Sequence, residues 1–240
     1  MAASPITVQV TGEVRHAGAH TLPADARLAA AALAAQPTQN AYLLGAALLR
    51  DSARTTQARL KAGILFDLET LATTHRTAPA LAEAAGRMHT AFSALPVTGR
   101  EPQLLAPRAL EADRRQNRPA RDANTLVYPP RPETVTVTGA VVAPCVLRHD
   151  AARAPLDYRN ACPLLTVASP DDLYLIEADG TVQKLGIALW NRGAPRAAAP
   201  GATIFVPLDV RKIAQVAPDF NEEAARFLAT QVLEAPGVPH

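Results

Sequence analysis

Apolar and polar residues alternate through VQVTGEVRHAGAHTLP (Val8–Pro23) and again through VTVTGAVVAPCVLRHD (Val135–Asp150). Alternation of period two, carried by β-branched residues, predicts half-buried strands. Val8, Val10, Thr11, Gly12 and Val14 coincide with Val135, Val137, Thr138, Gly139 and Val141 at a single offset of 127. A second echo follows each stretch. DANTLVYPP (Asp122–Pro130) resembles PGATIFVPL (Pro200–Leu208): a turn residue, an apolar run, then Pro. Proline has no amide to donate to a ladder, so it suits the end of such a strand. Heads and tails in the same order predict one module used twice.

The two copies differ in length. Gly12 to Ala123 spans 111 residues and Gly139 to Ala202 spans 63, so the first copy carries about 48 more. Between Asn40 and about Leu95 the period changes from two to helical. Leu60, Ile64, Leu68 and Leu71 form one stripe; Leu81, Ala85, Met88, Phe92 and Leu95 form another. Pro79 between them suits the first turn of a second helix. The spacing predicts a helical hairpin inserted in the first module.

The second copy shows the uninterrupted plan: strands at 133–142 and Val146–His149, then a short helix in PLDYRNAC. A hairpin in DDLYLIEADGTVQKL turns at Asp179-Gly180, and a last strand covers Thr203–Val206. The first copy begins alike, with a helix predicted over Asp25–Ala35. The final segment, APDFNEEAARFLATQVLEAPG, has Asp219 or Asn221 to cap a helix, Glu222 and Glu223 in its first turn and Pro-Gly after it. Phe220, Ala224, Phe227, Leu228 and Gln231 share one face. At roughly 16 residues this helix is short for a membrane span. Its apolar face suits docking on a domain, or on a partner or membrane surface.

Composition narrows the class. Apolar residues make up 48% and charged residues 19%, which fits a globular chain rather than a disordered one. A net charge of +2 gives no support for a nucleic-acid partner. No apolar run is long enough for a membrane-spanning helix. MAASPITVQV lacks the basic start and apolar stretch of a secretory leader, so the chain is either cytoplasmic or a mature form whose leader is missing. Cys145 and Cys162 are the two cysteines. In an oxidising compartment they could join; otherwise they are two buried thiols.

Catalytic motifs are absent: no G-x-S-x-G, H-E-x-x-H, phosphate loop or dinucleotide fingerprint occurs. His16 and His20 stand four apart in a turn with no third ligand near, and His75, His89 and His149 are isolated, so no metal site is predicted. Asp171-Asp172 fits a turn better than paired-carboxylate catalysis. Two features remain as candidate ligand sites. RALEADRRQNRPAR holds Arg114, Arg115 and Arg118, whose planar guanidinium groups suit acidic sugars or phosphates; alternatively the stretch is a solvated linker. Trp190, the single tryptophan, adjoins Asn191: an aromatic face and a planar amide suit a sugar, though a lone Trp is also a common packing anchor.

The order of these parts resembles the GfcC-like capsule biosynthesis family. The residues that carry the likeness are YLLGAALLRDSARTTQARLKAGILFDLETLA, RPETVTVTGAV, GIALWNRGAPRAAAPGATIFVPL and FNEEAARFLATQVLEAP. V-x-V-x-G-E-V-x-x-x-G resembles the opening of the soluble ligand-binding β-grasp (SLBB) modules of outer-membrane polysaccharide export proteins. The resemblance implies an α+β fold of two tandem β-grasp domains, the first (1–130) with a helical-hairpin insertion at about 40–97, the second at 131–210. An amphipathic C-terminal helix and tail would occupy 211–240. It further implies a periplasmic accessory protein, its leader peptide removed, acting in capsule or exopolysaccharide assembly or export. The expected partners are polysaccharide or the export machinery, with no cofactor and no nucleic acid. The alternative is a polysaccharide-modifying enzyme with its site in the arginine-rich part of the first domain.

Overall fold

The computed structural model describes residues 4–74, 78–194 and 196–235. His75 and the Pro236-Gly237 pair lie outside the described residues. The chain forms two structural units, each built of several segments. The first takes the chain up to Gln57, then Thr98–Pro132, then the residues from Thr230 onward; the second takes Ala58–Val97 and Glu133–Ala229.

The first unit is a five-stranded sheet in the order β2-β1-β5-β3-β4. Its strands are β1 (Ile6–Gly12), β2 (Gly18–Leu22), β3 (Ala47–Leu49), β4 (Arg100–Glu101) and β5 (Asn124–Tyr128). Helix α1 (Leu28–Ala35) follows β2. Helix α2 (Asp51–Thr74) begins after β3, and a short α4 (Pro107–Ala112) precedes β5. β1 runs parallel to β5 and all other pairs are antiparallel. The alternation of β1 turns Val8 and Val10 inward, where they meet Leu28, Ala31 and Ala32 of α1, with Leu48, Leu105, Leu110, Leu126 and Tyr128.

The second unit repeats that plan. Its strands β6 (Thr134–Gly139), β7 (Cys145–Arg148), β8 (Asp172–Ile176), β9 (Val182–Gly186) and β10 (Thr203–Val206) stand in the order β7-β6-β10-β8-β9. Again the first and last strands, β6 and β10, pair in parallel while the rest are antiparallel. Helix α5 (Pro155–Asn160) takes the place that α1 holds in the first unit, with Pro155 in its first turn. The β8–β9 connection turns at Asp179-Gly180, where Thr181 N donates to Asp179 Oδ1 at 2.8 Å. The repeat seen in the sequence is thus a repeat of sheet topology.

The registers refine that repeat. Gly12 stands opposite Tyr128 and Gly139 opposite Val206. Both glycines have positive φ, +95° and +101°. At each, a β-carbon would overlap the carbonyl of the facing residue, so only glycine fits. The amides that follow then close the first strand onto the last: Glu13 N donates to Tyr128 O at 2.7 Å and Ala140 N to Val206 O at 2.8 Å. These registers equate Ala123 with Gly201, one residue from the Ala202 used to compare the lengths of the copies. Both hold positive φ, +58° and +80°.

Three expectations change. The helical run expected from Asn40 begins later, at Asp51, because Leu43–Gly45 forms a 3-10 turn and Ala47–Leu49 becomes β3. Local periodicity is overridden there by pairing, since β3 lies between β5 and β4. The hairpin of α2 and α3 (Pro79–Ala94), expected within the first domain, is placed from Ala58 onward in the second unit. Its predicted stripes explain why. Ile64, Leu68, Leu71, Leu81, Ala85, Met88 and Phe92 are buried in the core that holds Val135, Val137, Leu175 and Ile204. Each large side chain so buried contributes about 2 kcal/mol before entropy is counted.

The terminal helix is also shorter than expected. A four-residue α6 (Val210–Ile213), capped by Asp209 Oδ1 on Arg211 N at 3.1 Å, precedes α7 (Phe220–Leu228) of nine residues. Beyond it the chain leaves the helical path. The carbonyls of Thr230 and Gln231 accept from Thr98 Oγ1 at 2.6 Å and Arg100 Nη1 at 2.7 Å. The expected apolar face is real, but Phe220, Ala224, Ala225 and Phe227 are buried in the second unit's own core, with Phe92 and Phe227 rings 6.2 Å apart. That face is therefore not offered to a membrane or partner. Nor is Asn221 a cap: its side chain accepts from Leu208 N at 2.9 Å and donates to Leu208 O at 2.8 Å.

Candidate functional site

The arginine segment divides. Arg114 and Arg115 stand exposed in the turn after α4, where Asp113 Oδ1 accepts from Arg115 N at 2.8 Å. Arg118 is engaged by the protein: it bonds Glu101 Oε2 at 3.1 Å, Gln103 Oε1, and Pro102 O at 3.3 Å. Glu101 is shared with Arg50, whose Nη1 lies 3.3 Å away and whose Nη2 donates to Pro119 O at 3.0 Å. Burial pushes the Arg50 guanidinium below its ordinary value, and the Glu101 carboxylate opposes that shift. Arg50, Glu101 and Arg118 thus brace β3, β4 and the segment before β5. Arg118 does not join Arg114 and Arg115 in one ligand-facing group.

Two histidine rings are similarly placed in bonds to backbone. The His20 ring and the His16 carbonyl are 2.8 Å apart, and the His149 ring and Ala198 carbonyl 2.9 Å apart. Cys145 on β7 and Cys162 after α5 are joined by a disulfide with Cα atoms 6.0 Å apart. No helix among the described residues is long and apolar enough to cross a membrane.

Trp190 and Asn191 border a different feature. After β9 the chain turns through Leu189 and Trp190, which are 91% and 78% exposed. An apolar pair so exposed on a single turn is not a packing anchor. Behind it, Asn191 N donates to Ala188 O at 3.2 Å, and Asn191 Nδ2 donates to Asp171 O at 3.0 Å and Asp172 Oδ1 at 3.3 Å. Its Oδ1 is buried with no partner among the described residues. Gly186 permits this seat, because a β-carbon there would overlap the Asn191 carbonyl.

The turn walls an open groove of about 500 Å³. Its apolar lining comes from Pro155 and Leu156 of α5, Leu173 of β8, and Leu185 with Ile187 at the end of β9. Its charged lining is Lys184, Arg192 and Arg196 against Asp157. Arg192 is held in place by its own turn, donating from Nε and Nη2 to Ile187 O at 3.3 and 2.9 Å. Lys184 is paired with Asp172 at 3.2 Å. Apolar walls with a few convergent polar groups are the usual make-up of a ligand site. Lys184, Arg196 and the α5 residues carry no local signal in the sequence. They come from separate segments and meet only through the sheet.

The fold and the groove define a class: a protein of two repeated α+β sheet units, the second opening a cation-rimmed surface groove. Within that class, residues 147–233 match the family described as capsule biosynthesis GfcC C-terminal. The matched span holds every residue of the groove. The chain is also 32% identical over 117 residues to the uncharacterized protein YjbG of Escherichia coli (strain K12). That similarity covers 49% of this chain and 47% of YjbG, so the chain spans about half the length of the curated relative it matches. The GfcC-like resemblance read from the sequence is met by this match over β8, β9, β10, the groove and α7.

Proposed function

We propose that this protein is a periplasmic accessory component of capsule or exopolysaccharide assembly or export, and that it binds glycan in the groove beside Trp190 and Asn191. The two sheet units would be tandem β-grasp modules. Their shared strand order, with first and last strands parallel, supports that reading. The capsule-biosynthesis family match supports the pathway. The Cys145–Cys162 disulfide supports an oxidising compartment such as the periplasm.

The observation that carries the glycan reading is the exposed Trp190, next in the chain to Asn191 and Arg192 of a half-apolar groove inside the family-matched span. Sugar rings present C–H faces to an aromatic plane and hydroxyls to amides and guanidinium groups. The groove supplies the guanidinium groups, and the aromatic plane stands on the adjoining Trp190. It is open enough to admit an internal stretch of a polymer, which suits a binding module better than an enclosed catalytic pocket.

The test is capsule complementation in a strain lacking the gene. Trp190→Ala combined with Leu189→Ser removes the exposed apolar tip without touching the core. The expected result is a loss of surface polysaccharide with protein level and melting temperature unchanged. Full complementation by this variant overturns the reading.

A further inference from the structure

The groove has a charge preference that the glycan reading alone does not specify, and the following rests on that reading. Its lining carries three cationic side chains, Lys184, Arg192 and Arg196, and one carboxylate, Asp157. Lys184 is already balanced by Asp172 at 3.2 Å. Among the described residues neither Arg192 nor Arg196 has an acidic partner. Asp157 is occupied locally, its Oδ2 accepting from Ala154 N at 3.3 Å. Two guanidinium groups four residues apart therefore flank the groove with no ion-pair partner among the described residues and a single carboxylate, Asp157, in the lining, although the whole chain carries a net charge of only +2.

Arg192 is also preorganised. Both bonds to the Ile187 carbonyl come from one side of its guanidinium, through Nε and Nη2, which fixes the plane and leaves the opposite edge, Nη1 and the second Nη2 hydrogen, for a ligand. A fixed planar donor favours a two-oxygen acceptor over a single hydroxyl, because less rotamer freedom is lost on binding. The same turn presents Trp190 two residues earlier, for the ring face of a neighbouring sugar.

We infer that the groove takes an acidic glycan, a polymer bearing sugar carboxylates, with Arg192 and Arg196 binding the carboxylates and Trp190 stacking on the adjacent ring. The chain contains one tryptophan, so its emission reports directly on this turn. The experiment titrates the whole protein with an alginate hexasaccharide, with the same oligomer after carboxyl reduction, and with inorganic polyphosphate. Alginate is expected to change Trp190 emission saturably. The carboxyl-reduced oligomer should bind at least about tenfold more weakly, as should alginate to Arg192→Ala/Arg196→Ala. Both arginines are exposed, and an unchanged melting temperature establishes that the variant folds.

Equal binding of the native and reduced oligomers, undiminished in the arginine variant, overturns the acidic preference and leaves the glycan site standing. Binding of polyphosphate as tight as alginate also overturns it, in favour of a general polyanion surface. No emission change with either oligomer overturns the preference and the groove's assignment as a glycan site together.

Discussion

Gly12 lies against the backbone of Tyr128, whose carbonyl oxygen occupies the space that a β-carbon on Gly12 would need. The same carbonyl accepts from Glu13 N at 2.7 Å, so it is held in place and cannot yield. Gly12→Ala would add a positive-φ penalty to this overlap, and is expected to destabilise the protein by at least about 2 kcal/mol. Gly86→Ala is the control. Its site on the exposed face of α3 is open, so helix propensity should make that change stabilising by up to about 1 kcal/mol. Urea unfolding of both variants measures the contrast.

Cys145 and Cys162 are separated by 17 positions, and their bond ties the edge strand β7 to the turn after α5. Closing a loop of that length restricts the unfolded chain by about 3 kcal/mol. Thermal unfolding with and without a reductant should show a lower melting temperature on reduction. The Cys145→Ser/Cys162→Ser variant should be insensitive to the reductant. Two freely reactive thiols in protein taken from an oxidising compartment would contradict the bond.

Asp67 on α2 and Glu223 on α7 carry raised carboxyl pKa values. Burial is the main cause for each; Asp219 adds to it for Asp67, and Asp67 then Asp219 for Glu223, while Arg226 opposes. The folded protein holds these protons more tightly than the unfolded chain does. Their stabilising contribution is therefore present below the ordinary carboxylate range and lost as pH rises through the raised folded values. Asp67→Asn should raise the melting temperature at neutral pH, and the gain should fade as the medium is made acid. A gain independent of pH would show that charge is not its source.

Glu101 holds two guanidinium groups, of Arg50 and Arg118. Arg50 is 6% exposed, so Glu101→Gln leaves a buried cation without its counter-charge. A loss of about 2 kcal/mol is expected. Arg118→Ala should cost much less, because that side chain is a third exposed and Arg50 keeps its carboxylate. Denaturant midpoints of the two variants test the order.

The legible parts of this fold are those with a local period. Val8 and Val10, repeated as Val135 and Val137, announce two inward-facing strands, and Ile64, Leu68 and Leu71 announce a helix with one buried face. Strands β3 and β4 are three and two residues long, too short for alternation to show, and exist because neighbouring strands pair with them. The stripe on α2 shows that something must cover it, but nothing in its spacing says which sheet core does. Trp190 and Asn191 stood out by residue type. Lys184, Arg196 and Pro155 did not, since a groove lined from three segments leaves no spacing to find. Arg118 was conspicuous in its charged run, yet its partner Glu101 lies on a two-residue strand that no pattern marked.

The interleaving of the two units has a practical meaning for anyone dissecting the molecule. The chain passes from one unit to the other after Gln57, Val97, Pro132 and Ala229. No single cut therefore yields an intact half. A fragment ending near residue 132 would keep the first sheet but expose the apolar stripes of α2 and α3, while one starting at 133 would lack the helices that cover its core. During synthesis the same layout delays completion: Val8 waits for Asn124, and Leu68 waits for strands made after residue 133. The first sheet is complete only after Tyr128 and the second only after Val206, so the stripes of α2 and α3 stay uncovered until most of the polypeptide has been made.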